Sequence, residues 1–385
     1  MMYNRVKDLG HRGNLTGRPC IAYPFSPSGK DIFMRVEDLD TPSLLVDLDG
    51  LEDNLDRYQH YFDEHGIGLR PHVKTHKCLA IAHMQMRRGA TGIPCQKVGE
   101  AEVMVGGGVA GDILIPFNII GRQKLTRLVA LARRTRLTVA ADSEYTVQGL
   151  SDAATAAGVD LGVIVELDCG RTGIGPPVAA VDLAMKIDQA PGIELRGIMT
   201  MPATVGQRPL IQETLALFDQ RGLQYPIVSG GSTPGAFKAH EIPELTEYRA
   251  GEYPVGGVGH LKGGTHSVEQ CAGRVLMTVV SRPGEDRAIL DGGSKSLSGA
   301  TYREEDGSSS MGYIVEYPDA RIAGASEEHG HVDLSVCERK PEIGERVQVL
   351  PVHPCPCFNE HDEIVAVRRG EVEAIWPVDA RGRIR

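Results

Sequence analysis

The chain has 385 residues, 41% hydrophobic and 24% charged, ordinary globular proportions with room for two domains or for one barrel of roughly 200–250 residues plus a smaller companion. A formal net charge of −10 argues against a nucleic-acid surface, and no apolar run approaches the roughly 20 residues that a membrane span needs. The opening stretch MMYNRVKDLGHRGNLTGRPC lacks the apolar core of a secretory signal, and the eight cysteines (Cys20, Cys78, Cys95, Cys169, Cys271, Cys337, Cys355 and Cys357) are mostly scattered singly, so the expectation is a reduced, cytoplasmic protein without a disulfide framework.

Residues 1–40 read as an irregular N-terminal extension packing on the β-rich part of the chain, with PFSPSGKD a flexible segment. From Thr41 the pattern becomes regular. SLLVDL reads as a buried strand, and Asp49 then caps a helix whose Leu51, Leu55, Tyr58 and Phe62 share one face and which Gly66 ends. Strand-like runs follow at IGLRPHV, TGIPCQ, GDILIPF, RLTVAAD, LGVIVELD, ELRGIMTM and YPIVSGG, separated by helical stretches such as RQKLTRLVALARR and EYTVQGLSDAATAAG. Alternating strands and helices imply a parallel sheet, and about eight units over residues 41–255 predict an α/β fold closed as a (β/α)8, TIM-like barrel, with an open doubly wound sheet as the runner-up. After about residue 265 the runs AGRVLMTVVSR, RAILDGG, MGYIVEY, ERVQVLPV and DEIVAVRRGEVEAIWPV are joined by short turns with little helical periodicity, which predicts a second, β-rich domain. The predicted division is therefore 1–40, 41–262 for the barrel and 263–385 for the β-rich, metal-binding domain.

Four stretches carry chemistry. In a parallel barrel the chemistry sits at the carboxyl ends of strands, and RPHVKTHK (70–77) ends the second predicted strand. A lysine there points into the barrel mouth, where desolvation and neighbouring cations favour the neutral amine that condenses with an aldehyde; the octapeptide reads equally well as a basic surface turn. VSGGSTPG (228–235) is a Gly/Ser/Thr turn whose N–H groups suit a phosphate, although any glycine-rich turn looks similar. ELDCGRTGIG (166–175) sets Arg171 either against a ligand or in an ordinary surface loop. In VHPCPC (352–357), His353 and Cys355 are one residue apart, so in extended backbone both face one way and offer a soft donor pair for Zn²⁺, with Cys357 on the same face; two buried polar residues in a proline-stiffened turn are the plainer reading.

Taken together, TPSLLVDLDGLEDNL, LRPHVKTHK, CQKVGEAE, VELDCGRTGIG, SGGSTPG, TEYRAGEY, EEHG and FNEHDEIVAVRRGEVEAIWPVDARGR resemble the D-threonine aldolase/D-serine dehydratase family, pyridoxal-phosphate enzymes with an alanine-racemase-like barrel. The likeness runs from about Thr41 to the C-terminus. It implies that Lys74 bonds the cofactor aldehyde and that Lys77 starts the next helix. It also implies that Arg171 lies by the pyridine ring, that Gly230, Gly231, Ser232, Thr233, Gly251 and Tyr253 surround the phosphate, and that His72 and Gln96 join the cofactor contacts. A divalent metal, Zn or Mn, is implied on His353 and Cys355, where it meets the substrate's β-hydroxyl. The implied activity is retro-aldol cleavage of a β-hydroxy D-amino acid by a homodimer. Dehydration to a 2-keto acid and ammonia is the alternative, followed by racemisation and by non-catalytic cofactor binding. Two departures stand out: Met201 and Pro202 occupy the place of the family's Tyr- or His-bearing turn, and PVGGVGH replaces its aromatic-then-aspartate stretch. His260, His72 and His76 are the candidates for the missing acid–base group. The tail favours an aldolase, the His-x-Cys pair a dehydratase.

Overall fold

A computed structural model describes residues 34–109 and 111–385 of the chain. The expected N-terminal extension falls mostly on residues 1–33, outside the described residues; Val36 N–H donates to Gly370 O at 3.0 Å, against the β domain.

The first regular elements are β1 (Ser43–Asp47), α1 (Leu48–Glu64), β2 (Gly68–Leu69), α2 (Leu79–Arg87), β3 (Gly92–Pro94) and α3 (Val98–Gly106). They continue through β4 (Asp112–Ile115), α4 (Arg122–Ala132), β5 (Arg136–Ala141), α5 (Glu144–Ala157), β6 (Leu161–Glu166), α6 (Pro177–Gln189), β7 (Ile193–Met199), α7 (Arg208–Arg221), β8 (Ile227–Gly231) and β9 (Glu247–Arg249). The first helix buries Leu51, Leu55, Tyr58 and Phe62 as its periodicity requires, but its cap is Asp47, whose Oδ1 accepts from Gly50 N–H at 2.8 Å, and not Asp49.

Eight parallel strands follow the order β2-β9-β8-β7-β6-β5-β4-β3. The two ends of this sheet meet through Thr91 N–H, which donates to Leu69 O at 2.9 Å, so the barrel is nearly closed. Its membership differs from the expected one. β1, read from sequence as the first barrel strand, pairs antiparallel with Gly273–Gly284 and parallel with Glu363–Arg368, in the other sheet. The eighth barrel place is taken by β9, three residues long and too short to announce itself by periodicity. RPHVKTHK consequently follows the first barrel strand, not the second.

Apolar residues of alternate parity divide the work. Ile113, Ile115, Val139, Ala141, Val163, Val165 and Ile198 join the main core between sheet and helices, while Leu114, Ala140, Ile164, Met199 and Ile227 form a separate apolar layer within the barrel. Charged groups share the barrel interior. Arg70 Nε bonds Glu247 Oε2 at 2.7 Å, and Ser229 Oγ donates to Glu247 Oε1 at 2.6 Å. Gly92 makes room for this network, since a Cβ there would lie 2.5 Å from Arg70 Nη1 and 2.2 Å from Asp112 O.

The second sheet has nine strands, with β1 between Gly273–Gly284 and Glu363–Arg368. Because Arg287–Leu290 pairs with both Gly273–Gly284 and Gly330–Asp333, part of this sheet curls back on itself. A short helix, Pro354–Glu360, follows the strand Arg346–Pro351 and meets the barrel where Cys355 Sγ lies 3.1 Å from Thr75 Oγ1. Among the described residues no helix is long and apolar enough to cross a membrane.

Candidate active site

One cavity opens at the carboxyl ends of the barrel strands, with His72, Lys74, Gln96, Arg249, Ser232 and Glu252 among its walls. His72 arrives on the extension of β2, where its N–H donates to Ala250 O at 2.8 Å. Its ring Nε2 lies 3.1 Å from Gln96 Oε1. Burial first, then the nearby Lys74 and Arg249 cations, hold His72 well below its ordinary pKa, so the imidazole is neutral. Lys74 is half-buried on the tight turn that follows. Lys77 stands apart: its Nζ donates to Asn359 Oδ1 at 2.8 Å, away from the cavity wall, and α2 begins two residues later at Leu79 with Cys78 as its cap.

Arg249 at the end of β9 is the cation that sequence reading missed. It is buried, with Nη2 donating to Thr200 O at 2.8 Å and Nη1 to Ser229 Oγ, and burial brings its guanidinium down to about 10 against the opposing pull of Glu247 and Glu166. Arg171 is more loosely held at the mouth, exposed, with Nη2 3.8 Å from Glu166 Oε1.

The SGGST turn divides by parity. Gly231 faces the cavity side, where a Cβ would lie 3.1 Å from Arg249 Nη2 and 3.2 Å from Met201 Sδ. Gly230 faces outward, its missing Cβ taken up by Ala203, Leu245 and Tyr248. Ser232 holds φ at +135°, an unfavourable conformation for a residue with a side chain and one that clusters at binding sites. The Thr233 hydroxyl accepts the N–H groups of Gly251 and Glu252, both at 3.1 Å, and so pins the loop after β9. The side chain of Tyr253, assigned to the phosphate by resemblance, is engaged elsewhere: its ring stacks on Tyr58 at 4.5 Å between centroids and its hydroxyl meets Gln85 Nε2 at 3.2 Å.

Beside the cavity, the Pro354–Glu360 helix carries the soft donors. The expected extended backbone at 352–357 is instead a helix start, with His353 as the cap residue and Pro354 at its first position, where the missing N–H costs nothing. His353 and Cys355 still converge, but Cys357 turns away, its thiol buried and donating to Ser296 O at 3.1 Å. The third group is Glu252. Its Oε1 lies 2.9 Å from His353 Nε2 and 3.3 Å from Cys355 Sγ, and one donor atom from each of the three residues falls within 4.8 Å of the others. Burial acts to raise the Glu252 carboxyl, but the contacts from His260 and His353 outweigh it and hold the pKa well below the carboxylate range. Burial, then the Glu252 charge, push the Cys355 thiol up to about 12; a divalent cation among these groups reverses that preference and favours the thiolate. The Thr75 hydroxyl, next in sequence to Lys74, lies 3.1 Å from Cys355 Sγ and ties the donor cluster to the cavity.

Of the proposed acid–base histidines, His72 lines the cavity. His260 lies behind Glu252, Nε2 to Oε2 2.8 Å. His76 is buried, its Nδ1 accepting from Cys78 N–H at 3.1 Å, and burial brings it down to about 4. A primary amine, two guanidinium groups, hydroxyls and a glycine edge around one cavity suit an anionic aldehyde such as pyridoxal phosphate. The adjacent nitrogen, oxygen and sulfur donors suit a divalent ion of the zinc or manganese kind.

Two family models account for both halves of the chain: "Alanine racemase, N-terminal domain" over residues 46–258 and "Putative serine dehydratase domain" over residues 272–367. A D-threonine aldolase of Arthrobacter is 34% identical over 94% of this chain and 97% of its own length. The crystal structure of D-threonine aldolase from Filomicrobium marinum superposes with a TM-score of 0.83 at 33% identity, covering 92% of this chain and 99% of that one. D-threo-3-hydroxyaspartate dehydratase from Delftia superposes with a TM-score of 0.80 at 26% identity, covering 89% and 98%. The chain belongs to the alanine racemase N-terminal domain family, in the form that joins this barrel to a serine dehydratase domain.

Proposed function

We propose that this chain is a pyridoxal-phosphate- and divalent-metal-dependent lyase that cleaves a β-hydroxy D-amino acid between Cα and Cβ, giving an aldehyde and glycine. The observation that carries this reading is the adjacency of two unlike sets of groups. The amine of Lys74 lines one cavity, and its sequence neighbour Thr75 touches Cys355 in a nitrogen–oxygen–sulfur donor cluster. An enzyme acting only at Cα needs the first set; the second fits a substrate that also presents a β-hydroxyl.

Lys74 would hold the cofactor's aldehyde carbon, while Ser232, Thr233 and the edge of Gly231 would receive its phosphate near the buried Arg249. Pyridoxal phosphate, when bound, supplies a sink for the electron pair left at Cα. Arg171 faces the mouth of the same cavity, and the neutral His72 keeps Gln96 in place rather than acting as an acid. His353 and Cys355 would hold the ion, whose chemistry there would be to make a substrate hydroxyl more acidic. Retro-aldol cleavage would pass the substrate's hydroxyl proton to solvent at the cavity mouth as the Cα–Cβ bond breaks. The Cβ carbon would leave as the aldehyde, and a proton from solvent would return to Cα to complete glycine.

The thiol donor favours one second reading, dehydration. In it the Cα proton is lost, the β-hydroxyl departs as water, and hydrolysis releases a 2-keto acid and ammonia. The seven described cysteines are all free, in keeping with a reducing cytoplasm, where we place the enzyme as a homodimer. Purified holoprotein is incubated with D-threonine, D-serine and 3-hydroxy-D-aspartate in the presence of Zn²⁺ or Mn²⁺. Aldehyde with glycine is the expected product. Ammonia with a keto acid turns the assignment to dehydratase, the L-enantiomer turns it to racemase, and no product from any of the three overturns the lyase.

A further inference from the structure

We infer that Glu252 is a third protein ligand of the metal and that His260 is the residue that positions it. This rests on the metal-dependent reading above and goes beyond it, because the His-x-Cys pair alone leaves the ion on one short helix of the β domain.

The backbone at Glu252 is fixed from both sides. Its N–H donates to Thr233 Oγ1 at 3.1 Å, and its carbonyl accepts from Val255 and Gly256 N–H at 3.1 and 2.9 Å. The side chain then spends its two oxygens differently. Oε2 is committed to His260 Nε2 at 2.8 Å, while Oε1 is turned toward His353 Nε2 at 2.9 Å and Cys355 Sγ at 3.3 Å. Ligands bonded to zinc at about 2.0–2.3 Å stand roughly 3.3–3.7 Å apart along the edges of a tetrahedron. The Cys355 separation stands at the lower end of that range and the His353 separation is about 0.4 Å short of it, a gap of the size that small side-chain rotations close.

His260 is built to hold one orientation. It is 4% exposed, its other ring nitrogen lies 3.2 Å from Thr265 Oγ1, and that hydroxyl also reaches His260 O at 3.2 Å. Thr75 stands to Cys355 as His260 stands to Glu252, contacting the ligand and leaving its metal-facing lone pairs free. Supporting contacts of this kind orient metal ligands, and their loss typically costs 10–100-fold in affinity. Three protein ligands leave a four-coordinate ion one open position, the pattern of catalytic rather than structural zinc. That position is the place for the substrate hydroxyl. The ion would then join the barrel loop after β9 to the β domain, with the ligand Glu252 in the AGEY landmark and its support His260 in the departing PVGGVGH.

The test measures metal binding directly. Metal-stripped holoprotein is titrated with Co²⁺ against a competing chelator, following the thiolate–cobalt and ligand-field bands, for wild type, Glu252→Gln, His260→Ala and His260→Gln. The cofactor's visible absorbance and the circular dichroism spectrum monitor folding. Glu252→Gln is expected to weaken binding at least about 100-fold and to alter the ligand-field bands. His260→Ala is expected to weaken it about 10–100-fold, and His260→Gln, which keeps an N–H for Oε2, to recover most of that loss. If Glu252→Gln does not fold, Glu252→Asp and the His260 pair carry the test. Wild type that binds Co²⁺, with variants that bind it equally and with unchanged bands, overturns the inference and leaves the His-x-Cys site standing. Wild type that binds no ion overturns the metal-dependent reading itself.

Discussion

In the barrel, each functional side chain stands at the end of its own strand: His72 after β2, Arg249 at the end of β9, Ser232 just past β8. In the β domain, His353 and Cys355 come from the start of one seven-residue helix. The barrel therefore fixes many groups through one continuous sheet, whereas the β domain delivers two donors on a single small support. Glu252 is where the two meet, anchored in the barrel by Thr233 and reaching His353 and Cys355. On the proposed function the arrangement separates two tasks: the barrel would hold the cofactor, and the junction the ion.

The strongest test of that separation is Lys74. Replacing it with Ala is expected to abolish the cofactor's visible absorbance and lower turnover at least about 1,000-fold, while Lys77→Met retains the absorbance, because Lys77 Nζ is already engaged with Asn359. Borohydride reduction followed by peptide mapping locates the modified lysine. An adduct on Lys77, Lys97 or Lys295 breaks the comparison, since the cofactor would then not be seated on the barrel's first strand end.

The sequence carried the alternation of strands and helices well, since apolar runs of buried strands and the periodicity of α1 and α5 are local properties. It did not carry sheet membership. The run SLLVD is buried on both faces in either sheet, so nothing in it distinguishes a barrel strand from a central strand of the β domain. The SGGST turn and RPHVKTHK read equally well as ordinary turns by themselves, and only the resemblance carried by all the landmarks together singles them out. Arg249 was not singled out, because a three-residue strand shows no period and an arginine in TEYRAGEY reads as surface. Glu252 was hidden for another reason. A carboxylate in a loop acquires meaning only from His353 and Cys355, distant in sequence and brought near by the packing of two domains. Cys357 departs from the face expected of extended backbone because PCPC forms the start of a helix, which turns alternate residues away from one another.

A smaller effect probes whether the two regions are energetically one. Leu44 and Val46 of β1 belong to the same apolar cluster as the barrel's Val139 and Val163 and the β domain's Val349 and Ala366. Leu44→Ala removes buried surface at the centre of the nine-stranded sheet and is expected to cost about 2–5 kcal/mol. Because the cluster is continuous, that loss should lower the midpoint of one shared unfolding transition, read in parallel by the cofactor's absorbance and by tryptophan fluorescence from Trp376 in the β domain. Two separated midpoints, with only the fluorescence shifted, would show that the barrel stands alone.

The smallest effect concerns His266, on the connection between the two regions. Its Nε2 meets Tyr253 O at 3.0 Å and its Nδ1 meets Thr265 Oγ1 at 3.2 Å, with Tyr58, Arg57, His260 and Glu252 around it. Burial, helped by His260 and Arg57, outweighs the opposing Tyr253 carbonyl contact and Glu252 and brings its pKa down to about 4. The sign follows from proton counting. Below about pH 6.5 the unfolded chain takes up a proton at this position and the folded chain does not, so the contribution to stability is present above that pH and is lost as pH falls toward 4. The slope approaches about 1.4 kcal/mol per pH unit for one such group. Other titrating groups contribute to the whole-protein slope, so the comparison is made with His266→Gln, whose amide N–H can still reach the Tyr253 carbonyl. Urea unfolding at pH 7, 6 and 5 should show wild type losing stability faster than the variant as pH falls. A difference that stays constant over that range would mean that His266 takes up its proton equally in the folded and unfolded chain, so that burial does not hold it neutral.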